Sequence, residues 1–393
     1  MKKRVAIIGA GISGLVFANL LKNNTEYEFI IYEKNSLVDL SEGYGIQLSV
    51  NSVSILNKIG FDNLKLMDKF NPKKIDFYSL KNNNKICDLD ISQFNSENIF
   101  YTTLKRSLFI QSLKNKLFTN SIQFNKRILK IKNSTSKIEI MFENNTIEIF
   151  DYLIISDGVF SSTKSILFNQ DIKPKYFGSL AFRALIEKKD LKFINEKNIS
   201  LFLGPNVHLV TYPINDKNEI NFVAILRKKL KQEILKNKNF FDHKDSIINI
   251  INESSIRKNN YLQNFFKDIK DLKCFPIFIS DKLRKNKHKN IFFLGDAFYA
   301  SPPTFAQGAS QAVEAAYELF NILNKNNENN FNKYFNIRVK RTKMIDRRSK
   351  LNHFTFHISN SILAAIRNVA LKIIVNNKFF LNKYLGKIYL KKY

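Results

Sequence analysis

Cysteine is close to absent from this 393-residue chain. Cys87 and Cys274 stand far apart and form no Cys-x-x-Cys arrangement, which excludes a disulfide framework and a thiolate metal site and fits a reducing, cytoplasmic compartment. Also lacking is an uninterrupted apolar run of the ~18 residues that a membrane span requires. The nearest approach, Val5 to Leu21 behind the basic opening Met1-Lys2-Lys3-Arg4, lies where a signal peptide or an anchor would stand. Three glycines interrupt it at fixed spacing, no small-residue cleavage site follows, and a second apolar strand ends on Glu33. A signal sequence has no use for those features; a nucleotide fold does. Tryptophan is missing altogether.

Acidic side chains are scarce: 34 against 63 basic ones, a formal charge of +29. Such a surface attracts nucleic acid or anionic membranes at long range. Lys, Asn and Ile dominate loops and helices alike, and a compositional bias of that breadth accounts for the charge of the body without a nucleic-acid partner. The length suffices for two domains, or for one large α/β domain with an inserted substrate layer.

Strand, glycine turn, helix and strand can be read from Lys3 to Glu33, through Val5–Ile8, Leu15–Leu21 and Phe29–Tyr32. The turn is Gly9-Ala10-Gly11-Ile12-Ser13-Gly14. Its first glycine makes the bend, its second admits a pyrophosphate to the backbone, and its third lets helix pack on strand, while the helix N-terminus offers free N–H groups. Glu33, next to Lys34, stands where a ribose hydroxyl would donate. This motif serves NAD and FAD equally. Further on, Tyr152–Ser156 is a buried strand leading into Asp157-Gly158, and Ile291–Leu294 leads into the run Gly295 to Ala316. A helix is predicted over Gly308–Leu323, and strands over 181–187, 198–203, 208–212 and 220–227.

These three spaced motifs together resemble the FAD-dependent aromatic hydroxylases, the group A flavoprotein monooxygenases, in their salicylate hydroxylase-like branch. The resemblance implies an α/β fold: a Rossmann-like FAD-binding domain of the glutathione reductase type, an inserted β-sheet substrate domain and a helical C-terminal tail. It divides the chain into 1–75 (FAD-binding βαβ and flavin-adjacent segment), 76–172 (a mixed segment returning to the FAD domain), 173–280 (mainly substrate-side sheet), 281–324 (FAD domain) and 325–393 (basic helical region). Asp296 is implied as a ligand of the ribityl chain. Pro302 and Pro303 would line the flavin ring, and Gly308 with Ala309 would open a helix aimed at its pyrimidine edge, where reduced flavin carries negative charge. The segment from Glu42 through Gly45 and Gln47 to Asn51 is similar to the family's glycine-bearing stretch beside the flavin. Arg106 would meet FAD phosphate or ribityl oxygens. Asp157 and Gly158 are associated with FAD and the nicotinamide cofactor. Lys164 stands where an arginine is common, and Tyr299 where many relatives carry histidine.

On the substrate side, Arg183-Ala184-Leu185-Ile186 and Leu203 to Pro213 resemble the salicylate hydroxylase branch. A strand alternates its side chains, so His208, Val210 and Tyr212 share one face. His208 and Tyr212 on the wall of an apolar pocket would orient or deprotonate a phenol, with Arg183 and Gln47 beside them; a histidine bonded into the core is the competing reading. The 36 phenylalanines suit such a pocket. The implied reaction is hydroxylation of an aromatic or phenolic small molecule, consuming O2 and NADH or NADPH, through a flavin C4a-hydroperoxide, with no metal.

A ubiquinone-pathway hydroxylase of a polyprenylated phenol is one alternative, and a reductase or halogenase on the same fold another. The absence of tryptophan rules out a tryptophan-bearing halogenase motif. A basic nucleic-acid or membrane binding protein without catalysis is the alternative of another class. From Lys333 onward, 15 basic residues face one acid, Asp346, and Ser361–Val375 reads as an apolar helix interrupted by Arg367 and Lys372. That pattern fits either packing against the flavin domain or peripheral docking at the inner face of a membrane.

Overall fold

The structure is a computed structural model, and it describes the chain except residues 39, 41–43, 135–136, 188–194, 326–329 and 392–393. Five parallel strands form its first sheet, in the order Ile291–Phe293, Tyr152–Ile155, Lys3–Ile8, Tyr27–Tyr32, Ile122–Gln123. Parallel strands covered on both faces have no polar side to present, hence the unbroken apolar runs at Val5–Ile8 and Leu153–Ile155, all buried. The helices Ile12–Leu21 and Gly308–Leu323 pack together on this sheet, joining Leu15, Val16 and Ala18 to Val313, Ala316 and Leu319 in one core.

A second sheet has seven strands, in the order Lys273–Ile279, Lys175–Glu187, Glu219–Arg227, Val207–Pro213, Ile199–Gly204, Lys74–Ser79, Lys85–Asp90. All neighbours are antiparallel except Ile199–Gly204 beside Lys74–Ser79. Period-two alternation divides this sheet cleanly. Phe182, Leu209 and Phe222 point to one side and Arg183, His208, Val210 and Val223 to the other.

Two features depart from the expected layout. Beside its strands, the stretch 173–280 carries four helices, Gln232–Lys236, Lys238–Asp242, Lys244–Asn252 and Asn260–Asp268. Ile247, Ile250, Ile251, Phe265 and Phe266 recur at helical spacing and cover the outer face of the sheet at Phe182, Leu209 and Phe222. The same sheet also draws two strands, Lys74–Ser79 and Lys85–Asp90, from the region before residue 173, with Ile75 in register with Ile199. Long-range pairing of that kind leaves no local pattern in the sequence.

The C-terminal region is helical as expected, with Asn330–Phe356 and Ser361–Ile374 as its main elements. No described helix is long and apolar enough to cross a membrane. The long helix is fastened to Gly308–Leu323 by buried charges. Arg338 donates to Glu318 at 2.9 Å and to Gln311 at 3.0 Å, and Arg341 donates to Glu314 at 2.8 Å through Nε and again through Nη2. Burial would raise the Glu314 carboxyl, but the guanidiniums of Arg341 and Arg338 outweigh it and hold it below its usual 4.5.

Replacing Arg341 with Met should therefore cost about 3–5 kcal/mol, because it leaves Glu314 buried with a weakened partner set; a urea unfolding midpoint unchanged from the parent would refute this. A carboxyl whose folded-state pKa is depressed stabilises the fold above its unfolded pKa and loses that contribution as pH falls through the folded value. Stability should accordingly fall below about pH 4.5, and Glu314→Gln, already weaker at neutral pH, should show a flatter acid limb.

Candidate active site

A cavity of about 960 Å³ lies where the two sheets and the C-terminal helices meet. The glycine turn contributes Gly11 and Ser13, and Gly158, Gly295 and Asp296 follow the neighbouring strands. The segment Ala300–Ala309 forms a second wall, including Pro302, Pro303, Gly308 and Ala309. From the seven-stranded sheet come Arg183, Leu201, His208, Val210 and Tyr212, from the flavin-adjacent segment Gly45 and Gln47, and, from the start of the helix Arg106–Asn115, Arg106.

Gly9, Gly14, Glu33, Lys34 and Asp157 are not among the lining residues. The two glycines shape the turn instead. Gly9 has φ +99°, a backbone state that L side chains avoid, and a Cβ on Gly14 would stand 2.2 Å from the Gly9 carbonyl oxygen. Glu33 braces the same turn, accepting from the Ala10 N–H at 2.9 Å and the Asn35 N–H at 3.1 Å. Lys34 is exposed. Asp157 accepts from the Thr163 N–H at 3.2 Å, and burial pushes its carboxyl up. Glu42 and Gly43 lie outside the described residues.

Asp296 opens into the cavity with protein mass around it, and that enclosure raises its carboxyl to about 6 against the positive charge of Lys164 and Arg106. Lys164 is itself buried, and burial lowers its ammonium while Asp157 and Asp296 oppose the shift. The carboxylate of Asp296 and the guanidinium of Arg106 thus line the cavity, with Lys164 buried behind the Gly158 turn. Tyr299 also lines the wall.

His208 is 1% exposed, and burial with the nearby His353 lowers it to about 3, so the ring is neutral at ordinary pH. Its Nδ1 lies 2.7 Å from Nε2 of His357, and that same Nε2 lies 3.1 Å from the carbonyl oxygen of Ile225. A carbonyl only accepts, so His357 carries its proton on Nε2. Nδ1 of His208 must then be an acceptor, because two N–H groups cannot face each other at 2.7 Å. The proton of His208 is left on Nε2. In that tautomer His208 donates to a substrate oxygen, which favours orienting a phenol, the first of the two expected roles, over deprotonating it. Tyr212 is buried, and burial raises its hydroxyl far above the usual range, so it too stays protonated. Gln47 accepts from the Tyr101 hydroxyl at 2.7 Å.

The C-terminal helices supply lining that no motif announced: Ser349, Asn352 and Phe356 from the long helix, and Arg367, Leu371 and Ile374 from the next. His353 and His357 were equally unforeseen. His353 sits in the last turn of the long helix and His357 just past its end, on the same side, but nothing local says that this side meets His208.

Residues 2–329 match the family described as FAD binding domain. The chain belongs to that family. Among curated relatives, the 3-amino-4-hydroxybenzoate 2-monooxygenase PtnB3 of Streptomyces platensis is 23% identical over 375 residues, covering 93% of this chain and 92% of its own. A salicylate hydroxylase of Pseudomonas putida is 23% identical over 343 residues, covering 81% and 76%. Of solved structures, Klebsiella pneumoniae HpxO complexed with FAD and uric acid superposes with a TM-score of 0.81 at 16% identity, over 98% of this chain and 97% of that one. The fold is thus that of an FAD-binding hydroxylase: a Rossmann-like domain joined to a sheet domain, with a helical C-terminal region.

The residues present fit FAD. Nothing lies within 4 Å of a Cβ built on Gly11 or Gly308, the space a cofactor needs beside two helix N-termini, and Asp296 and Arg106 face the same cavity. Gly308→Val should then leave the melting temperature within a few degrees of the parent while flavin retention falls about tenfold or more, since the new side chain meets the cofactor and no protein atom. Full flavin content in that variant, read from the visible spectrum, would contradict the placement. Gly14→Ala should instead damage the fold itself.

Proposed function

We propose that this FAD-dependent monooxygenase hydroxylates a small aromatic compound bearing a phenolic or carboxylate oxygen, at the expense of NADH or NADPH and O2. The observation that carries the reading is that the cofactor turns and the His208–Tyr212 strand face open into one cavity. The relatives named above act on aromatic acids, and by their names they are monooxygenases or hydroxylases. Neither ubiquinone-pathway chemistry nor a flavin-free binding role gains support from them.

Bound FAD supplies the redox chemistry, in which one oxygen atom enters the ring, the other leaves as water, and the nicotinamide is oxidised. Asp296, Arg106 and the backbone of Gly11, Gly158 and Gly308 would hold the cofactor, and Pro302 and Pro303 would flank its ring. Leu201, Val210, Val223 and Ile225 form an apolar wall that keeps water from the reacting carbon and grips an aromatic ring. Arg183 provides the positive charge for an anionic substituent, His208 donates through Nε2, and Tyr212 and Gln47 complete the polar set. Together they hold the ring in one orientation, the step on which regiochemistry and coupling depend.

A panel of aromatic acids and phenols tests this reading by substrate-stimulated NADH or NADPH oxidation, with a product that has gained one oxygen atom. Failure of every aromatic compound to stimulate oxidation by the flavin-loaded protein would sink it. His208→Phe should retain FAD and continue to oxidise NAD(P)H while coupled product falls by about 10–100-fold; an unaltered product yield would make His208 a core residue only. His357→Phe should follow it in direction with a smaller loss, because it acts through the tautomer of His208 and does not line the cavity.

A further inference from the structure

The helix Ser361–Ile374 has no buried residue, although ten of its 14 positions are apolar. On a helical wheel Ile362, Ile366, Val369 and Ile373 fall on one stripe, with Leu363 at its edge. All five are more than half exposed, Ile362 at 70% and Ile373 at 64%, and the exposed Phe354 and Phe379 belong to the flanking segments. The opposite face is occupied: Arg367, Leu371 and Ile374 line the active cavity, Leu371 packs against the buried cluster that includes Phe77, Leu89 and Leu201, and Arg367 donates to the Thr355 carbonyl at 3.1 Å. An inner face of this kind is accounted for by the fold. The outer stripe is not.

We propose that this outer stripe docks the protein on an anionic lipid surface. A helix apolar on both sides calls for a second apolar medium. Fourteen residues span about 21 Å, too short to cross a bilayer and long enough to lie in its interface. The charge pattern selects the medium. Ten basic residues and no acidic one follow Asp346 in the sequence, and Lys372, Lys378 and Lys383, on or beside the helix, are exposed. A second copy of the chain would bring the same unrelieved positive charge to the stripe and be repelled. Anionic headgroups would meet it with opposite sign. Docked in this way, the helix would stand with lipid on one side and the cavity on the other. The inference does not depend on which compound is hydroxylated.

Co-sedimentation of the flavin-loaded protein with phosphatidylcholine vesicles, with and without phosphatidylglycerol as about a quarter of the lipid, tests it. The bound fraction should be about tenfold higher with phosphatidylglycerol and should decline as salt is raised. The double variant Ile366→Ser/Val369→Ser keeps every basic residue and alters no cavity-lining side chain, so flavin content and NAD(P)H oxidation should be unchanged while sedimentation falls about tenfold. Equal sedimentation of the variant and the parent would overturn the proposal, as would absence of binding by the parent to either vesicle. Light scattering that shows a dimer which the double variant converts to monomer would also overturn it, assigning the stripe to contact between copies. Normal sedimentation with no hydroxylation of any aromatic compound would defeat the functional reading and leave the docking surface standing.

Discussion

The placement of the C-terminal half of the site depends on four buried charges. Glu314 is fully buried, Arg338 and Arg341 are nearly so, and Glu318 is 8% exposed. Taking such groups out of water is costly, and it is offset only where each one is matched in charge and hydrogen-bonded. Arg341 meets that demand with Glu314 and with the carbonyls of Lys387 at 2.8 Å and Ile388 at 3.1 Å, and Asn51 donates to the same carboxylate. Sliding the long helix by one turn would carry Arg338 and Arg341 away from Glu314 and Glu318, so the cluster fixes its register. The same register sets Arg338, Thr342, Ile345, Ser349 and His353 along one inward face of the helix, at spacings of three and four.

His208 owes its character to that register. A lone neutral histidine on an apolar strand could carry its proton on either nitrogen and act as donor or acceptor. His357, brought up by the long helix and committed to the Ile225 carbonyl, removes the choice. Burial together with the neighbouring His353 keeps His208 from charging, and His353, which burial and Arg227 lower to about 4, stays neutral as well. Three of the chain's five histidines thus work as a set of uncharged dipoles, suited to orienting a substrate oxygen rather than to exchanging protons with solvent.

The sequence made the nucleotide half readable because its constraints are local. A strand buried on both faces, a glycine without room for a Cβ and a helix opening on small residues all leave marks within a few positions. Gly9, Gly14 and the helix Gly308–Leu323 stand where those marks put them. Alternation was equally legible, and it set His208, Val210 and Tyr212 on a common cavity wall. What escaped depends on partners far along the chain. Strand Lys74–Ser79 pairs with residues more than a hundred positions later, and the helices between 232 and 268 sit within a stretch whose β-rich flanks dominate the pattern. His357 gains its role only by meeting a strand 149 positions away. Basic composition concealed the tail's other face, since its lysines and arginines are far more frequent than the apolar residues that close the cavity are conspicuous.

The positive charge divides into two parts with different physical meaning. A bias toward lysine raises the basic count everywhere, but it does not by itself remove acids from one region. Acids that the fold requires are present in the nucleotide half: Glu33 braces the glycine turn, Asp296 faces the cavity, and Glu314 and Glu318 anchor the long helix. Past Asp346 no acid remains, and there Lys350, Lys372, Lys378 and Lys383 share the exposed surface with Leu351, Ile362, Ile366, Val369 and Ile373. Composition alone would scatter a few carboxylates through those positions, as it does through the surface strands around Glu139, Glu143 and Glu148, each within ion-pair distance of a lysine or arginine. Leaving the C-terminal surface without that neutralisation, beside an exposed apolar stripe, is the pattern on which the proposed lipid docking rests.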